Sequence, residues 1–230
     1  MKSKRKNQFS RLKKSYKKQI VNRMIYLTKE DISLRVDKLT ESDEILKESQ
    51  NPNDSIINRS ISINRVFVPN SYISNSILLL NLIQLSNDNR IRDGYIFPAL
   101  FGFRQYLELI MKDSIHNFEV ALNECNDSQA GFKKEHSLKR LWNLLNDKIL
   151  KFEDKDQDLN IIEKLIDEFD SVDECSMAFR YSFQFDTKGN IKPNTLGRKC
   201  IDINNLKNVE LKIFRFLEGI NELSYVKAYH

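Results

Sequence analysis

Only six glycines and four prolines punctuate 230 residues, and they stand singly. A chain with so few turn-formers lacks the breaks that a many-stranded β fold needs, so long helices are its default. The same scarcity removes Gly-rich phosphate loops: Gly94, Gly102, Gly131, Gly189, Gly197 and Gly219 form neither a dinucleotide fingerprint nor a P-loop. With 40% apolar residues, fourteen Phe and one Trp there is material for a real core. The expected fold class is therefore mainly all-α: a helical bundle, with a small inserted β-hairpin and a basic N-terminal helical arm.

Charge divides the chain. Residues 1 to 29 carry eleven Lys or Arg and no acid, which leaves 26 basic against 32 acidic residues in the remainder. Within this arm Phe9, Leu12, Tyr16, Ile20, Met24 and Leu27 recur three or four apart, while Lys13, Lys14, Lys17 and Lys18 fill the intervening positions. That spacing describes a basic amphipathic helix. Nucleic-acid phosphate, an anionic membrane surface, and the apolar surface of its own domain or of a protein partner all suit such a helix. A lysine cluster facing phosphate would give sequence-independent, salt-sensitive affinity.

Residues 30 to 69 read as one polar helix, about Asp31 to Lys47, and a linker holding Asn51-Pro52-Asn53-Asp54, with Arg65 to Pro69 extended. Residues 70 to 230 read as the bundle. Helices are expected from Ser71 to Leu85, from about Tyr95 after a turn at Asn87 to Gly94, from Ser137 to Lys151, from Leu159 to Phe169, and from near Asn205. Between the last two, Phe179 to Asp186 alternates in strand fashion and Arg198 to Ile203 returns, placing the hairpin at about 179–203.

Cys125, Cys175 and Cys200 are odd in number and widely spaced, so neither a disulfide framework nor a paired-cysteine zinc site is expected. No histidine and carboxylate pattern has metal-ligand spacing, and no cofactor is called for. The most apolar run, Ile77 to Leu85, is about half a bilayer span and reads as a core helix. The basic start has no apolar segment behind it, so no secretory signal and no integral membrane association are expected, and the setting is cytoplasmic.

The helix after Tyr95 is the most informative. Its apolar residues fall almost all round the axis, as in a buried central helix, yet Arg104, Glu108 and Lys112 stand four apart on one line. Charges inside a core cost several kcal/mol unless paired, and the order Arg, Glu, Lys lets each compensate the next. Two uses fit: an ion-pair ladder at the core's edge, or a cleft where Arg104 and Lys112 hold an anion while Glu108 orients them. His136 opens the following helix and is the other candidate; His116 and His230 carry less.

Three stretches then resemble a known group. Phe97-Pro-Ala-Leu-Phe-Gly-Phe-Arg-Gln-Tyr-Leu-Glu-Leu-Ile-Met-Lys112, Glu135-His-Ser-Leu-Lys-Arg-Leu-Trp142, and Ala178-Phe-Arg-Tyr181 with Asp186-Thr-Lys-Gly-Asn190 are similar to bacterial HEPN-like helical proteins. The resemblance spans about residues 70 to 223. It implies a bundle of four or five helices that forms a homodimer, in a superfamily rich in metal-independent endoribonucleases of toxin–antitoxin and phage-defence systems, with RNA as partner. That superfamily's usual motif, an Arg followed four to six residues later by a His, does not occur here, and Gln105 stands where the group often has His. On this resemblance His136 does the proton work, Arg104, Lys112 and Arg180 hold phosphate, and Glu108 fixes Arg104. A non-catalytic interaction module with a degenerate site is the competing expectation.

Overall fold

The computed structural model describes residues 44–51, 53–57, 60–124, 132–173, 176–181, 183–185, 188–193 and 199–230. The basic arm at 1–29, with Lys13, Lys14, Lys17 and Lys18, lies outside the described residues, as does most of the helix expected at 31–47. Contact clustering separates residues up to Ile56 from a compact unit, Ile57–His230. In the first unit Asn51 organises a short turn, its Oδ1 accepting from the Asn53 amide at 3.1 Å.

The second unit is built on five helices: α1 (Ile61–Leu85), α2 (Asn89–Ala121), α3 (Leu138–Ile149), α4 (Gln157–Asp173) and α5 (Ile203–Tyr229). Side-chain caps explain several starts: Ser60, Asp88, Ser137 and Asp202 each accept a hydrogen bond from a backbone N–H in the first turn of α1, α2, α3 and α5. Three of these fall close to where spacing placed them. The helices α1 and α2 start about ten and six residues earlier than expected, and the reason in each case is a cap overlooked upstream.

Ser60 captures the Ile63 amide at 3.2 Å, so the β-branched run before Pro69 is helical rather than extended. Pro69 is then an interior residue, buried, and its missing N–H leaves one turn of α1 without its backbone bond. Likewise Asp88 accepts from the Arg90 amide at 2.8 Å and pairs with the Arg90 guanidinium at 2.6 Å, turning the expected turn at 87–94 into the first turns of α2.

The long helix α2 is the axis of the core. Tyr106, Met111, Ile115 and Phe118 on it are fully buried, and around it gather Trp142 and Leu145 of α3, Ile166 of α4, and Ile213 and Leu217 of α5. Rings lock the layers, as Phe103 meets Phe169 edge-on at 5.5 Å and Phe169 stacks on Phe179 at 5.5 Å. Backbones of α1 and α2 come closest at Gly102, where a Cβ would lie 3.0 Å from the Tyr72 carbonyl oxygen. Among the described residues α1 is the one helix long and apolar enough to cross a membrane. Here its Ile73, Leu80 and Ile83 are instead buried in the bundle.

The expected hairpin over 179–203 does not stand as drawn. Phe179 and Arg180 lie in a turn that buries Phe179 against α4, and Ile203 already begins α5. What pairs is much shorter: Phe183–Phe185 (β1) runs antiparallel to Ile191–Pro193 (β2), three residues a side. The alternation of Phe179 to Asp186 that suggested a strand is an aromatic packing pattern at its start and a strand only at its end.

Candidate functional site

The ladder on α2 is real, and its two ends differ. Arg104 is wholly enclosed, its side chain 0% exposed. Its Nη1 donates to Glu108 Oε2 at 2.8 Å, its Nη2 donates to the His136 carbonyl oxygen, and its Nε lies 3.3 Å from Asp173 Oδ2. One guanidinium thus ties α2 to the segment before α3 and to the end of α4. Arg supplies five donors in a fixed fork, which is why it can face three elements at once.

Glu108 carries the contacts outward. Its Oε1 accepts from Lys112 Nζ at 2.8 Å and lies 3.0 Å from His136 Nδ1. Burial pushes this carboxyl's pKa upward, but the hydrogen bonds from Lys112 and Arg104 outweigh it, and the net shift is below the ordinary glutamate value. The carboxylate is therefore held ionised between two fixed cations. Lys112 is mostly buried at 17% exposure, whereas the His136 side chain is 63% exposed. Exposure rises along the ladder from zero at Arg104 to open solvent at His136.

His136 is held from behind as well. Glu135 Oε1 accepts from the backbone amides of His136 and Ser137, each at 2.9 Å, and these bonds hold its pKa below the usual glutamate range. Asp170 reaches over from α4, its Oδ1 accepting from the Leu138 amide at 2.7 Å and its Oδ2 from the Ser137 hydroxyl at 3.0 Å. The start of α3, where orphan N–H groups point outward, is thus satisfied by acids, and His136 is fixed just ahead of it.

Behind Arg104, Asp173 Oδ1 accepts from the Ala178 amide at 2.7 Å. Its Oδ2 has the ion pair but no hydrogen bond, and burial raises this carboxyl's pKa despite the amide and the arginine. The chain turns sharply there: Ser176 sits at φ +56, a left-handed conformation unfavourable for a residue with a Cβ. That turn delivers Arg180, an exposed residue whose Nε donates to the Ser176 carbonyl at 2.5 Å and whose guanidinium lies over Tyr181 at 5.4 Å and Phe101 at 6.0 Å.

Of the residues singled out in the sequence, the structure brings Arg104, Glu108, Lys112 and His136 into one contact network. Arg180 joins only through the turn behind Asp173. The guanidinium of Arg104 holds protein acceptors on three sides and has no face open to an anion, so the cleft in which it would grip phosphate is not what the fold builds. The contact of Glu108 with His136, the acids Asp170 and Asp173, and the carbonyl of His136 were missed. Nothing in spacing marks them, because they join segments 28 to 69 residues apart. Compared with protein-family models, curated proteins and solved structures, the chain matches none.

Proposed function

We propose that this chain is a HEPN-like helical protein that binds RNA, with the outer end of the ladder as its contact surface and His136 as the group that moves a proton in metal-independent cleavage. One observation carries the reading: a single buried carboxylate oxygen, Glu108 Oε1, positions both a cation, Lys112 at 2.8 Å, and an exposed imidazole, His136 at 3.0 Å. A carboxylate on one ring nitrogen orients an imidazole and leaves the other nitrogen to a substrate. Cleavage of RNA needs a base for the 2′-hydroxyl proton and positive charge for the phosphorane oxygens. Those roles fall to His136 and Lys112. Arg104 is a positioning residue, acting through Glu108. The toxin–antitoxin or phage-defence setting, the cytoplasm and the homodimer follow from the resemblance alone.

A second reading is favoured by a different observation. The strongest cation, Arg104, is spent on the fold, as in a helical interaction module whose site no longer works. The two readings separate cleanly when labelled total RNA is incubated with the wild type, His136→Ala and Lys112→Ala. The catalytic reading expects cleavage that His136→Ala abolishes while binding persists. Retention without cleavage in the wild type leaves the binding reading alone, and neither retention nor cleavage at low salt overturns both RNA roles.

A further inference from the structure

A recess of about 370 Å³ opens between the first half of α1 and the second half of α2, on the side of Lys112 away from the ladder's acids. Its apolar lining includes Val68 and Leu109, and its polar lining is Arg65, Lys112, His116 and Lys133 with one acid, Asp113. With His116 neutral, three fixed cations face one carboxylate, a surplus of two positive charges.

These groups are not equally committed. Arg65 Nε is 2.5 Å from Asp113 Oδ1 and its Nη2 donates to Asn117 at 2.6 Å, so this pair closes one wall and is neutral. Lys112 leans on Glu108 and also donates to the Lys133 carbonyl at 3.4 Å. Among the described residues, neither the Lys133 amine nor the His116 ring has a hydrogen-bond partner. Two uncommitted nitrogen donors and a half-committed lysine therefore border a hollow of the size that takes a small organic molecule. Unpaired cations beside an apolar floor are costly to keep unless an anion with an apolar body sits between them.

We propose that this recess binds a small organic phosphate monoester. Its dianionic head lies among Lys133, His116 and Lys112, where the charge surplus of two matches it, and its carbon body rests on Val68 and Leu109. A carboxylate would satisfy half of that charge, and bare phosphate would leave the apolar floor uncovered. The proposal does not rest on the RNA reading, because His136 is no part of this lining.

Isothermal titration of the full chain with phenyl phosphate, benzoate, inorganic phosphate and phenol tests it. Phenyl phosphate should bind more tightly than each of the other three. Lys133→Ala and His116→Ala should each weaken it roughly tenfold, the loss expected for one charged hydrogen bond. Val68→Trp, from a position 42% exposed, should fill the hollow and abolish binding without disturbing the core. No binding of phenyl phosphate, equal binding of benzoate or of inorganic phosphate, or indifference to all three substitutions would overturn the proposal. Wild-type affinity for phenyl phosphate in His136→Ala, alongside altered RNA handling, is the expected signature of two separate sites. If RNA is neither bound nor cut but phenyl phosphate is held as described, the RNA reading alone fails.

Discussion

Two glutamates are buried in the same bundle and respond to burial in opposite ways. Glu108 on α2 has two cations and an imidazole around its carboxylate, and its pKa lies below the ordinary value. Glu210 on α5 has one hydroxyl, Ser76 Oγ donating to its Oε2 at 2.8 Å, while its Oε1 has no partner. Burial pushes Glu210 up to about 8. The difference teaches what a buried acid is for. One that stays charged must be surrounded by cations, and those cations then have a fixed place at the surface; one that stays neutral joins two helices and presents nothing outside.

The comparison breaks most severely at Arg104. Arg104→Ala would leave Glu108 without its inner partner and Asp173 without any cation, both in the interior, and should destabilise the chain by roughly 5 kcal/mol, near the upper limit for severing a buried pair. Urea denaturation measures this. A loss under about 1 kcal/mol would mean that the guanidinium is not the anchor described.

Glu210 sharpens the contrast through pH. Its folded pKa is raised, so the stability it contributes is fully present below its unfolded value near 4.5 and is lost as pH climbs through about 8. Glu108 has the opposite sign: its contribution is present above 4.5 and is lost as pH falls through its lowered folded value. Glu210→Gln should therefore match the wild type near pH 5 and exceed it by on the order of 3 kcal/mol near pH 9, read from urea midpoints at the two pH values. Equal stability of the two proteins at pH 9 would show that Glu210 ionises in place at little cost.

A smaller effect is expected where the helices carrying the two acids' partners meet. Gly102→Ala would put a Cβ 3.0 Å from the Tyr72 carbonyl oxygen of α1, forcing the two backbones apart by a few tenths of an ångström. The expected cost is about 1–3 kcal/mol, visible as a lowered Tm. An unchanged Tm would show that α1 gives way freely, and Gly102 would then carry no packing role.

How much of this could be read beforehand follows from distance along the chain. The line Arg104, Glu108, Lys112 was legible because helical geometry fixes which residues share a face, and so were the apolar faces of α3, α4 and α5. The starts of α1 and α2 were misjudged because Pro69, Pro98 and Gly94 argued against helix more loudly than Ser60 and Asp88 argued for it. The core supplied the deciding energy: Ile73, Leu80 and Leu107 bury whatever local preference says. The third side of the site was illegible. That Glu108 would meet a histidine 28 residues on, or that Glu210 would meet Ser76 across 134 residues, depends on packing that no local pattern encodes.

The central claim is that the paired acid on α2 holds a cation and an imidazole at the surface for RNA. It is tested most directly by RNA retention across a salt series for the wild type and for Lys112→Ala combined with His136→Ala, both checked for fold by circular dichroism. The account predicts affinity that falls with salt in the wild type, and in the double variant both weaker binding and a shallower salt slope, by about one unit for the lost lysine contact. Identical affinity and identical slope in the two proteins would contradict it.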